Sequence, residues 1–116
     1  MSRNNTLEMD QLTDSAYYIL LSLLLPRHGY GLMSYIEELT GGEVVIGPAT
    51  AYTLIKKLQD NGCILLAYDD AQDRRKTYRI TEKGKNLVRK ETERRKRMAN
   101  HGDLAWHAAM EDTDNG

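Results

Sequence analysis

Two short stretches concentrate the side chains able to do chemistry. GPATAYTLIKKLQDNG, residues 47–62, carries Thr50, Tyr52, Thr53, Lys56 and Lys57, and DRRKTYR, residues 73–79, places Arg74, Arg75 and Lys76 in succession. Neither is a catalytic set. The hydroxyls have no general base beside them, no glycine-rich phosphate loop precedes a lysine, and no pair of carboxylates stands out. What hydroxyls and cations at this density do is hold anions reversibly: the hydroxyls bond phosphate oxygens or base edges, and Lys and Arg add charge. The chain is therefore expected to be a binding protein without a cofactor, and not an enzyme.

The remaining candidates are weaker. His107 and Glu111 stand four apart with His101 and Asp103 nearby, but no dense ligand cluster accompanies them and no metal site is expected. Cys63 is the single cysteine, so no intramolecular disulfide forms, which fits a reducing compartment. Its place at the start of an apolar run suits a small buried hydrophobe. Tyr17, Tyr18 and Trp106 are candidates for an effector pocket or for packing at a subunit interface. His28 reads as a turn residue bonding backbone.

The charge balance points the same way once it is divided along the chain. The net charge of −1 conceals three blocks: 4 basic and 10 acidic side chains in residues 1–73, 12 and 3 in residues 74–97, and 4 acids with no Lys or Arg in residues 98–116. A cationic block of this sharpness suits a polyanionic partner. At 116 residues the chain has room for one small core, and a second subunit is a natural source of further stability. The apolar run Ala16–Leu25 ends at Pro26, too short to span a bilayer, and MSRNNTLEMD lacks a signal pattern. A cytoplasmic protein with no membrane partner is expected.

The elements that must position these residues follow from periodicity. Thr13 or Asp14 caps a helix through AYYILLSLLL, apolar almost all round and so central. PRHGYG is a tight link into a second helix, about Tyr30 to Thr40, with Leu32, Tyr35, Ile36 and Leu39 as its inward stripe. Gly41-Gly42 ends it, and EVVI, residues 43–46, reads as a brief strand. Pro48 opens the third helix, whose stripe Ala51, Leu54, Ile55 and Leu58 turns Ala49, Thr53, Lys56 and Lys57 outward with Tyr52 on the shoulder. CILLAY (63–68) and KTYRI (76–80) form a hairpin with Tyr78 and Ile80 inward. Thr81 caps a last helix, nearly without apolar residues from Arg89 to Arg97 and broken near His101–Asp103 before an amphipathic segment, 104–110. The final residues, 112–116, are expected to fray.

Helix, helix, short strand, helix and hairpin is the order of a winged helix. The expected fold is mainly α with a small β-wing, a winged helix-turn-helix followed by a C-terminal helix. Residues 1–11 form an arm, 12–80 the DNA-binding domain and 81–111 a helical region for dimerisation. In this layout the helix at 48–61 enters the DNA major groove and the wing, 69–76, reaches phosphates.

LLSLLLPRHGYGLM, ELTGG, GPATAYTLIKKLQDNG and RRKTYRITEKG occur in this order between about Leu12 and Leu87. In these the chain resembles the PadR family of bacterial transcriptional regulators. The resemblance implies a homodimer that binds double-stranded operator DNA bearing an inverted repeat, usually represses, and is released when a small-molecule effector or another signal binds near the dimer interface. It places Thr50, Tyr52, Lys56 and Lys57 on the recognition helix and Arg74, Arg75 and Lys76 in the wing. With so few apolar residues between Arg89 and Arg97, dimerisation leans on the first helix and residues 104–110, or the basic stretch itself approaches DNA. The competing reading is a winged-helix adaptor that uses the wing and basic helix on an acidic protein, without operator specificity.

Overall fold

A computed structural model describes residues 11–69 and 75–115. The elements are α1 (Asp14–Ser22), β1 (Arg27–His28), α2 (Gly29–Leu39), α3 (Pro48–Asp60), β2 (Ile64–Asp69), β3 (Lys76–Ile80) and α4 (Glu82–Asn115). The sheet is antiparallel in the order β1-β3-β2. Three helices and a small winged sheet thus enclose one core, from which α4 departs. No helix among the described residues is long and apolar enough to cross a membrane.

Capping chemistry sets the helix ends. Thr13 accepts the Ala16 amide at 3.2 Å and opens α1, as a hydroxyl N-cap should. α2 and α3 both close on a glycine in the left-handed region, Gly41 at φ 61° and Gly62 at φ 75°. In each case the next amide turns back five residues, Gly42 to the Glu37 carbonyl at 2.8 Å and Cys63 to that of Leu58 at 2.9 Å. This satisfies carbonyls that the helix leaves unpaired. Thr81 opens α4 by accepting the Gly84 amide at 3.2 Å, while its own hydroxyl donates to the Gly62 carbonyl at 2.6 Å.

The core includes Ile19 and Leu20 from α1 and Leu23 just after it, Leu32 and Ile36 from α2, Ala51, Ile55 and Leu58 from α3, and Cys63, Ile64, Tyr78 and Ile80 from the hairpin, with Ile46 and Val88 joining them. Burial pushes the Cys63 thiol up against the opposing pull of Lys83, which makes it a packed hydrophobe. Gly84 lets α4 lie against the hairpin: a Cβ there would overlap the Cys63 carbonyl and sit 2.6 Å from Ile80 Cγ1. A glycine inside a helix costs about 1 kcal/mol against alanine, and here the close approach explains it.

Four local expectations are corrected. Residues 43–46 form no strand. The place beside β3 is taken by Arg27 and His28, paired with Tyr78 and Thr77, so the link PRHGYG contains a strand instead. Leu39, expected inside, is 50% exposed at the end of α2. α4 runs without a break through His101–Asp103. Gly102 alone is too weak a helix breaker to stop it.

The basic stretch of α4 divides into two parts. Arg94 and Arg95 turn toward Glu91, which is only 3% exposed. Arg94 donates to both its carboxylate oxygens, at 2.8 and 2.6 Å, and Arg95 donates to one at 2.9 Å. Arg95 also reaches Asp14 at 2.8 Å and the Leu12 carbonyl at 3.1 Å, and lies 4.6 Å from the centre of the Tyr17 ring. Thr92 spends its proton on the Val88 carbonyl, so the Tyr17 hydroxyl donates to Thr92 at 2.7 Å. A third of the cations in this stretch are therefore committed to an internal clamp that docks α4 on α1. Arg89, Lys90, Lys96 and Arg97 remain exposed.

Hydrogen bonds from Arg94, and then from Arg95, hold the Glu91 carboxyl below its usual range despite burial. A depressed folded-state value gives stability that is fully present above the unfolded value, about 4.3, and lost as the pH falls through the folded one. Glu91→Gln should cost about 2 kcal/mol at neutral pH, less than a fully buried pair because both arginines keep partial contact with water. Denaturant titrations at pH 7 and pH 3 should show the gap between variant and parent closing at acid pH.

Candidate nucleic-acid interface

α3 has one face committed to the core and one to solvent. Ala51, Ile55 and Leu58 are buried, and Ala49, Thr50, Tyr52, Thr53, Lys56 and Lys57 are exposed. Its N-terminus is bare: Gly47 is the N-cap without a side-chain bond, Pro48 occupies the first turn, and a Cβ added at Gly47 would meet nothing within 4 Å. The first turn thus leaves its amides open to an approaching anion, with the helix dipole favouring negative charge. Lys56 sits 3.7 Å from Asp60, but both side chains are mostly in water, where such a pair holds the lysine only weakly.

The wing supplies the second wall. Arg75 and Lys76 are exposed at the start of β3; Arg74 lies outside the described residues. Between wing and α3 is a cleft of about 370 Å³ lined by His28, Gly29, Tyr30, Tyr52, Arg75, Lys76 and Tyr78. His28 ties the wing base to the rest: its Nδ1 lies 3.1 Å from the Thr77 hydroxyl and 3.4 Å from the Lys76 carbonyl. Tyr52, 44% exposed, leans from α3 over Gly29. Hydroxyl, imidazole, ammonium and guanidinium groups therefore converge on one concave surface beside a helix shaped to enter a groove. Such a surface can bond phosphate oxygens from two sides.

Sequence reading placed the α3 residues and the wing cations but not what joins them. Gly29 and Tyr30 enter the cleft because β1 pairs with β3, a contact between residues some 50 positions apart. The run HGYG was the only local signal, and it read as a link. Tyr17, Tyr18 and Trp106 are not brought together in the single chain. Tyr17 and Tyr18 pack edge-to-face at 5.9 Å, half-buried on the core. Trp106 is 66% exposed and stands about 20 Å along α4 from Thr92, the residue Tyr17 bonds. Among the described residues no three His, Cys, Asp or Glu side chains gather to hold a metal ion.

The model of the transcriptional regulator PadR-like family matches residues 19–90, which run from within α1 to the first turns of α4. Among solved structures, PadR of Bacillus subtilis in complex with operator DNA superposes with a TM-score of 0.58 at 28% identity, over 66% of this chain and 45% of that one. A PadR family transcriptional regulator from Eggerthella lenta gives 0.64 at 26% identity, covering 78% and 80%. A transcriptional regulator from Clostridium thermocellum gives 0.68 at 24% identity, covering 78% and 90%, and bears on the fold alone. No curated protein matches.

Proposed function

The chain belongs to the PadR-like family of transcriptional regulators, and from that premise we propose that it is a homodimeric repressor of the cytoplasm that binds an inverted-repeat operator. α3 enters the major groove, with Thr50, Tyr52, Thr53, Lys56 and Lys57 reaching base edges and phosphates. Arg74, Arg75 and Lys76 of the wing hold the flanking backbone. The observation that carries this reading is the cleft, where Tyr52 of the groove-facing helix and the wing cations line one surface. An adaptor for an acidic protein would need the cations but not the adjacent bare helix start and hydroxyl face.

The dimer is supported by α4. Every residue from Lys96 to Thr113 is exposed, and the radius of gyration is 17.8 Å where a compact chain of this length would give about 13 Å. Helices in proteins draw most of their stability from packing an apolar face, and Met98, Leu104, Trp106 and Met110 are all exposed on this one. A second copy covers them. Release by a small-molecule effector, the last part of the proposal, then places Tyr17, Tyr18 and Trp106 near the interface between protomers, where a ligand can bias one protomer against the other.

A gel shift tests the proposal, using a duplex from the protein's own promoter region and an unrelated duplex of equal length. The promoter duplex is expected to bind at least tenfold tighter, and the excess should survive salt that strips the unrelated one. Equal binding to both at every salt concentration would overturn the operator reading in favour of the adaptor.

A further inference from the structure

We infer that Gly29 is a positioning residue for the DNA-contacting face, present because the Tyr52 ring needs the space a side chain would fill. A Cβ built at Gly29 would overlap the Tyr52 hydroxyl and lie 2.8 Å from its Cζ and 2.9 Å from its Cε1. Real Cβ atoms do not approach that closely, and the three nearest atoms all belong to this one ring. Backbone conformation does not call for glycine here: among the described residues the glycines with positive φ are Gly41, Gly42 and Gly62. Gly29 begins α2, is buried, and has its closest crowding atoms on α3. Two residues on, Gly31 is different: a Cβ there would meet Arg27 Cβ at an ordinary 3.8 Å.

The kind of neighbour decides the consequence. At Gly84 an added Cβ strikes a backbone carbonyl, which cannot move without disturbing the hairpin. At Gly29 it strikes the far end of a side chain that is 44% exposed, which can swing into solvent. Gly29→Ala therefore leaves the fold standing but turns Tyr52 out of its seat beside Lys76 and Arg75 in the cleft. A glycine that reads as part of a link thus sets the aim of a tyrosine one helix away.

The inference rests on the reading of α3 as the DNA-contacting helix, and a double-mutant cycle separates the two. Gly29→Ala, Tyr52→Ala, the double variant and Gly31→Ala are compared for binding to a labelled promoter duplex and for thermal unfolding. Gly29→Ala and Tyr52→Ala should each lose about tenfold in affinity, the range of a lost direct contact. The double variant should bind no worse than Tyr52→Ala, and Gly31→Ala should match the parent. If Gly29→Ala also lowers the melting temperature, the double variant should recover that of Tyr52→Ala.

Wild-type affinity in Gly29→Ala beside a weakened Tyr52→Ala would overturn the inference and leave the DNA reading intact. Losses that multiply in the double variant, or a melting temperature that stays low there, would also overturn it, because Gly29 would then act independently of Tyr52. Wild-type affinity in Tyr52→Ala would remove Tyr52 from the DNA face and the inference with it.

Discussion

Trp106→Glu combined with Ala109→Glu is expected to leave the winged domain folded, convert the dimer to monomer, and reduce affinity for a complete operator by about 10²–10⁴-fold. On α4, Gly84, Val88, Glu91 and Arg95 alternate steps of four and three, the repeat that keeps one stripe facing a partner along a helix. Gly84, Val88 and Glu91 are buried against their own domain. Met98, Gly102, Ala105 and Ala109 continue the stripe, with Trp106 beside it, where the domain has ended and everything is exposed.

In the proposed dimer, small residues at Gly102, Ala105 and Ala109 would let a second helix come close, and Trp106 and Met98 would supply apolar area. Two glutamates in that seam would be buried next to their own copies, and like charges in a shared apolar contact are costly. Neither position touches the core, so thermal unfolding of the winged domain should stay two-state. Each half-site would then be held by one domain alone. Sedimentation equilibrium reads the mass, and a gel shift on complete and half operators reads the lost bivalency.

The second expected result concerns the surface itself. Lys56→Ala with Arg75→Ala should weaken operator binding on the order of 50-fold near 0.1 M salt and lower the salt slope by about 1.8, if each side chain neutralises one phosphate. Both side chains are exposed on opposite walls of the same surface. Removing Lys56 also removes its pair with Asp60, which is open to water at 79% and 66% and so contributes only a few tenths of a kcal/mol, about what a surface helix pair is worth. The dimer mass should not change. Anisotropy titrations from 50 to 300 mM salt, roughly one Debye-length regime to the next, give the slope directly. An unchanged slope would move the DNA face elsewhere, with exposed Arg89, Lys90, Lys96 and Arg97 as the next surface to substitute.

How much of this was legible beforehand depends on how local the cause is. α3 was readable because its signals are adjacent: Pro48 at the start, Ala51, Ile55 and Leu58 at helical spacing, and Asn61-Gly62 at the end. Tyr78 and Ile80 facing inward followed from alternation alone. EVVI misled because β-branched residues favour strands only where a partner exists, and the free edge of β3 is filled by Arg27 and His28. Val45 is 67% exposed, while Ile46 is buried in the core, Val44 packs against it and the Val44 amide bonds the Thr40 hydroxyl, so the segment is held by these contacts and not by a ladder.

The basic stretch shows the same limit. Glu91 with Arg94 and Arg95 is visible in the sequence as neighbours at three and four positions. Asp14, the fourth member, lies at the other end of the chain and enters only when α4 docks on α1. That contact turned part of an expected polyanion surface inward and left the remainder for solvent or a partner. The seat of Tyr52 on Gly29 was likewise out of reach of any local pattern, since it joins the first residue of one helix to the face of another.

Selection of bound duplexes from a random pool, using the intact protein, tests the central claim most directly. The recovered sequences are expected to share an inverted repeat whose half-site centres lie about 10–10.5 base pairs apart, or a multiple of that, because two α3 helices related by a two-fold axis must meet successive major grooves. A recovered pool with no enriched sequence, or with one unrepeated element, would contradict it.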